Sequence, residues 1–232
     1  MNLTHLNIMS LSLAAVPKFV LMLVLSCVFG GGWGVADGFS QTLSVEGKAS
    51  TQDEFEWQKV KPTGARAEFE MPIQPRSVER SFEPIYGKPP VTVRLYLGTV
   101  RQGKMSFIVG YHDLHEAPRD ARSVNDALDG AVAGAIGNVM GQPLSKTVKT
   151  SIDGHPVRRF EYVFSQNQKR YIVFARVYLV GKRQYQVHAV IQDPGENEEA
   201  SRSDKELAEK FLKSFKVLKI ENDLPPRPRP RK

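Results

Sequence analysis

The sequence predicts an α+β fold, an antiparallel β-sheet flanked by helices within a single domain. Three observations carry this expectation. Apolar residues alternate with period two through most of the segments between about Phe55 and Ile220; these runs follow one another across short turns, as hairpins do; and two segments instead repeat apolar residues at three- and four-residue spacing.

Ahead of the domain, residues 1–36 of the 232-residue chain read as an export signal. A polar opening closes with Lys18, an apolar run extends from Phe19 to Phe29, and a Gly-rich stretch ends in Gly34 and Ala36. The run is too short to cross a bilayer as a helix, and Gly30, Gly31 and Gly32 interrupt its extension, which argues against a retained anchor. Cleavage after Ala36 fits a small-x-small pattern. A competing reading is a lipoprotein box at Val24, Leu25, Ser26 and Cys27, with membrane attachment through a lipidated Cys27, although apolar chain follows that cysteine where a polar linker is usual. Cleavage after Ala36 discards Cys27, the single cysteine. The expected product is periplasmic or secreted, has no disulfide and no thiolate nucleophile, and rests on its hydrophobic core.

Residues 37–54 are rich in Ser, Thr, Gln and Gly without a period and read as a flexible lead. The domain is expected over residues 55–220. Phe55 and Trp57 open a first strand, and Ala67 to Met71 make a second that stops at Pro72 and Pro75. Val91, Val93, Leu95 and Leu97 share one face; after a turn at Gln102 and Gly103, Met105, Phe107, Val109 and Tyr111 do the same, which predicts a hairpin. Phe160, Tyr162 and Phe164 alternate after a turn at Asp153 and Gly154. Tyr171 to Val180 is apolar on both faces apart from Arg176, as in a strand covered on both sides. Gly181 and Lys182 turn the chain into a last strand with Tyr185, Val187, Ala189 and Ile191 on one face.

Two helices supply the covers. Ser123 with Asp126 reads as the cap of the first, where Val124, Leu128, Ala131, Val132, Ala135 and Val139 repeat at helical spacing as far as Met140. Ser203 with Glu206 fits a capping box for the second, with Leu207, Phe211, Phe215 and Leu218 on one stripe. Residues 221–232 alternate Pro with Arg from Pro226 onward, which favours a disordered, extended tail.

Charge narrows the choice of partners. The chain carries +7; Lys18 leaves with the signal, and Arg227, Arg229, Arg231 and Lys232 carry four of the remaining six, which leaves +2 on residues 37–224. A body so nearly balanced gives no electrostatic case for nucleic acid, and any affinity for an acidic partner or a membrane surface belongs to the tail.

Catalytic signatures are scarce. The sequence has no G-x-S-x-G elbow, P-loop, dinucleotide-binding glycine pattern or H-E-x-x-H helix, and no cofactor is expected. One cluster is suggestive: His112, Asp113, His115 and Glu116 follow an apolar strand, and two histidines with a carboxylate are a zinc-type donor set, so a metal-dependent hydrolase is the alternative reading. Arg158, Arg159, Arg176 and Arg183 are expected to pair across strands, with Glu161 as an acidic partner. The oddest feature is on the first helix, where Gly130, Gly134, Gly137 and Gly141 fall within about 60° on a helical wheel. Such a flank accepts close backbone approach, from a strand or loop of the same chain or from a partner.

The order of these elements resembles a known family. The segment Phe69, Met71, Pro72 and Pro75 after an early strand, the hairpin, the helix, the run Gly154 to Tyr162, then Arg176 to Gly181 followed by Tyr185, Val187 and Ala189, and a closing helix ending in Ser214 and Phe215 are similar to exported bacterial proteins with the PsbP-like α/β sandwich, including DcrB-type lipoproteins. The resemblance spans most of Trp57 to Phe215. It implies a family of mostly non-enzymatic binding or assembly factors and carries over no catalytic residue. The expected function is an exported, non-catalytic accessory module that binds a protein or cell-envelope component through a sheet face or through the glycine-lined helix at Gly130, Gly134 and Gly137, with a surface tether through Arg227, Arg229 and Arg231 as a further alternative.

Overall fold

The computed structural model describes residues 55–82 and 89–218. The expected signal, lead and Pro/Arg tail, with Cys27, Arg227, Arg229 and Arg231, lie outside the described residues.

The main sheet has eight strands: β3 (Arg76–Phe82), β4 (Val91–Val100), β5 (Met105–Asp113), β6 (Gln142–Pro143), β7 (Val148–Ile152), β8 (His155–Gln166), β9 (Lys169–Val180) and β10 (Arg183–Gln192). Their order is β3-β4-β5-β10-β9-β8-β6, with β7 also paired to β8, and every pairing is antiparallel. Two-residue turns fix the register of the β7–β8 and β8–β9 hairpins. Ile152 pairs His155 across Asp153 and Gly154, which both have positive φ, the geometry whose twist matches that of the strands. Asn167 and Gln168 do the same between β8 and β9 without a glycine.

Strand alternation sends two different apolar sets to the two faces, and each face is covered. Beneath helix α1 (Ala121–Gly137), Leu128, Ala131, Val132 and Ala135 pack on Leu95, Ile108, Phe160, Val173, Val177 and Leu179. On the other face, Ala208, Phe211 and Leu212 of helix α2 (Glu198–Ser214), with the following Phe215, pack on Phe107, Val109, Tyr178, Tyr185 and Val187. Rings interlock here, Phe107 meeting Phe211 edge-on at 4.9 Å and Trp57 at 6.0 Å. The result is the expected sheet flanked by helices.

Several details depart from the sequence reading. The two early strands leave the main sheet: β1 (Gln58–Val60) and β2 (Ala67–Met71) join β11 (Lys216–Val217) in a separate three-stranded sheet on the α2 side. β3, which pairs β4 from Arg76 to Phe82, and β7 are additional strands. Each lies at a sheet edge and is mostly exposed, so neither carries an apolar alternation to read. Both helices begin earlier than expected. Asp120 caps α1, its carboxylate accepting from Ser123 N at 2.7 Å while Ser123 Oγ accepts from Asp120 N at 3.1 Å. Asn197 caps α2 by accepting from Ala200 N at 2.9 Å; Ser203 and Glu206 lie inside that helix. There Ser203 Oγ accepts from Arg101, which also pairs with Asp204 and so ties the β4–β5 turn to α2.

Arg158 and Arg176 find partners in the helices, while Arg183 pairs across the β5–β10 ladder, as expected of a cross-strand pair. Arg158 reaches α1, Arg176 Nη1 donates to the Leu212 carbonyl of α2 at 2.9 Å, and Arg183 holds Asp113 through two bonds of 2.6 and 3.0 Å. Glu161 faces Phe174 across the β8–β9 ladder, with its carbonyl accepting from Leu144 N.

Candidate functional site

Helix α1 carries its apolar stripe inward and leaves a bare flank beside it. Interior glycine is disfavoured in a helix by about 1 kcal/mol relative to alanine, so a glycine there needs a reason. At Gly130 and Gly137 a Cβ would meet nothing within 4 Å beyond the helix's own backbone. No other segment of the described chain fills that space. Gly134, between them, is half-buried.

The fourth glycine has a different role. α1 ends at Gly137, and the chain stops through paired reverse bonds: Gly141 N donates to the Ile136 carbonyl at 2.9 Å and Met140 N to the Gly137 carbonyl at 3.0 Å. Met140 occupies the left-handed position of this motif, φ 49°, where glycine is usual, and its side chain is 91% exposed. Gly141 then lies against β8, where a Cβ would come within 3.1 Å of Tyr162 Cδ2 and of the Val163 carbonyl. The close approach expected of the whole glycine set is therefore found at Gly141.

A polar anchor sits on the next turn of α1. Arg158, buried on β8, donates through Nε to Asp129 Oδ1 at 2.6 Å and through Nη2 to Asn125 Oδ1 at 2.5 Å; Lys149 of β7 reaches Asp129 Oδ2 at 2.9 Å. The bond from Arg158 is the main cause holding the Asp129 carboxyl below its ordinary pKa. The i, i+4 pair Asn125 and Asp129 was the legible signal of this anchor, two polar groups one turn apart beside an apolar stripe.

The structure disperses the metal-type cluster. His112 is buried on the α1 side of β5, and burial pulls its pKa down to about 4. Asp113 is engaged by Arg183, whose hydrogen bonds hold its carboxyl below the usual range, and Glu116 pairs with Arg119 at 3.1 Å, while His115 is exposed. Among the described residues, no three His, Cys, Asp or Glu side chains converge to hold a metal ion. In the basic cleft of about 250 Å³ between α2 and the small sheet, three of the four lysines are already engaged. Lys59 pairs with Glu68 at 3.0 Å, Lys213 with Glu209 at 2.8 Å, and Lys210 lies 4.3 Å over the Trp57 ring.

No family model matches the sequence, and no curated protein sequence matches it. Solved structures similar to this chain include the cyanobacterial PsbP protein (CyanoP) of Synechocystis sp. PCC 6803, at 13% identity over 74% of this chain and 98% of that one, with a TM-score of 0.47. LpqN of Mycobacterium tuberculosis, described as involved in cell envelope biogenesis, is 12% identical over 72% of this chain and 93% of its own, TM-score 0.41. An E65A mutant of Mog1 is 10% identical over 70% and 96%, TM-score 0.42. Among the described residues, no helix is long and apolar enough to cross a membrane.

Proposed function

We propose that this chain is an exported, non-catalytic binding or accessory module whose docking surface is the glycine flank of α1. The observation that supports it is the open space beside Gly130 and Gly137. Gly130 stands inside the helix and Gly137 at its last residue, both where the fold does not fill the space beside them, and what benefits is whatever comes close to the helix from outside. Export follows from the signal read at residues 1–36. The partner is a protein or cell-envelope component that lays a backbone or a flat apolar surface along the flank.

Capture from detergent-solubilised native envelope on the immobilised chain, compared with Gly130→Leu and Gly137→Leu, tests the reading. The expected result is a captured species that both substitutions release while the unfolding midpoint stays within a few degrees. Undiminished capture by both variants sinks the proposal; so does a large fall in midpoint, which would assign the glycines to folding.

A further inference from the structure

Along β10, Gln184, Gln186 and His188 alternate on the face that α1 covers, and none is more than 1% exposed. Their side chains form a row. His188 Nε2 lies 3.3 Å from Gln186 Oε1, Gln186 Nε2 donates to Gln184 Oε1 at 3.4 Å, and Gln184 Nε2 donates to the Ala127 carbonyl at 3.3 Å. Ala127 belongs to α1, so the row runs from inside the sheet to the backbone of the overlying helix. With Nε2 donating to Gln186, the lone pair of His188 is on Nδ1, a buried atom with no hydrogen-bond partner.

A proton taken up by this ring has to land on Nδ1. Ile108 and Ala175 flank His188 on the neighbouring strands, and Phe160 presents its ring perpendicular to the imidazole at 6.2 Å. The ionisable groups on this face are Arg76 and Arg80 of the edge strand β3, His112 of β5, Arg158 and Tyr162 of β8, Tyr171 of β9, and Asp129 of α1, which Arg158 and Lys149 already hold. None of them hydrogen-bonds Nδ1.

We propose that His188 is the proton-operated end of a latch that keeps α1 on the sheet: a proton on Nδ1 puts an uncompensated charge beneath the helix, and lifting α1 lets water reach it. Burial independently disfavours that charge and pulls the pKa of the ring down to about 3. α1 is the element that yields. Two of its four buried residues are alanines, whereas β10 is hydrogen-bonded to β5 on one side and β9 on the other. The Arg158–Asp129 contact does not respond in the same range, since the Asp129 carboxyl stays ionised in mildly acidic solution. Lifting the helix uncovers Val173, Val177 and Leu179 on the sheet face beneath it.

Amide hydrogen exchange of the purified chain, resolved by element between pH 7 and pH 5 and corrected for intrinsic exchange, tests the latch. The opening constant of α1 amides should rise about tenfold per pH unit below about 6.5 for each histidine that gains water, while β9 and β10 amides stay protected. His188→Gln should lower the slope by one proton; His112, opposite Gln184, accounts for any slope that remains. Equal slopes in the two chains overturn the proposal, as does α1 opening in step with β9 and β10. Should the variant fail to fold, the unsubstituted chain decides alone: α1 protection independent of pH, or a charged His188 ring seen by nitrogen NMR beneath a still-protected α1, overturns it equally.

Discussion

Arg158 and Asp129 meet at 2.6 Å across the sheet–helix boundary, the arginine side chain 3% exposed and the carboxylate 45%. The two ends of this pair therefore differ in what their loss does. Asp129→Ala leaves a buried guanidinium with Asn125 as its remaining acceptor on α1 and should cost about 3 kcal/mol in urea denaturation. Arg158→Met leaves a carboxylate that water and Lys149 still satisfy, and should cost less. The depressed Asp129 pKa supplies stability that is present above the ordinary value of 3.8 and lost as pH falls through the folded-state value, so the Asp129→Ala deficit should narrow in strong acid.

Glycines sort by their surroundings. Gly130→Ala should raise stability by about 1 kcal/mol, because helix propensity improves and nothing obstructs the methyl group. Gly98→Ala and Gly141→Ala should lower it, since the new Cβ would come within 2.9 Å of Ile73 Cγ2 in the first case and 3.1 Å of the Val163 carbonyl in the second. Thermal unfolding midpoints of the three single variants give the ranking; a destabilised Gly130→Ala would show that the flank is filled.

The position of the α2 cap is also measurable. Asn197→Ala removes the acceptor for Ala200 N and should cost about 1 kcal/mol. Glu206→Ala, in an exposed mid-helix position, should stay within about 0.5 kcal/mol. The reverse order in chemical denaturation would place the helix start at Ser203.

Where side chains alternate between oil and water the sequence was readable, and where they do not it was not. β4, β5, β9 and β10 were legible because burial demands period-two apolar residues, and β9 declared its two covers by being apolar on both faces from Tyr171 to Val180 apart from Arg176. β3 and β7 were hidden because edge strands solvate one side of their backbone and most of their side chains. Helix starts were misjudged for a local reason: Ser-x-x-acid spacing recurs inside helices, and only backbone geometry distinguishes Asp120 from Ser123. The partners of Arg158 and Arg176 depended on layer packing, which no spacing along the chain encodes, whereas Arg183 pairs across strands as expected. His188 lies on a strand that the sequence predicts, yet its link to Gln186 and Gln184 emerges only when the three are seen on one face beneath α1.

Acid should weaken the whole fold from the α1 side. His112 is 4% exposed and its pKa is lowered to about 4 from the usual 6.5, chiefly by burial, with Asp113 opposing. A histidine depressed in this way contributes stability that is intact above pH 6.5 and is lost as pH falls toward the folded-state value, at about 1.4 kcal/mol per pH unit. His112→Gln should flatten that part of the pH profile of unfolding free energy. An unchanged profile between pH 6.5 and pH 4 would refute the assignment.

The double covering of β9 changes what guards its alignment. In a strand with one wet face, a one-residue slip is self-correcting, because it drives oil into water and polar groups into the core. Here Tyr171, Val173, Ala175 and Val177 would simply trade places with Ile172, Phe174 and Tyr178, and both destinations are greasy. Arg176 breaks the degeneracy, since the slipped chain would aim its guanidinium away from the Leu212 carbonyl and toward the opposite layer. Arg176 thus proofreads the central pairing, and a chain deprived of it would be prone to settle into a misthreaded, long-lived counterfeit of the native sheet.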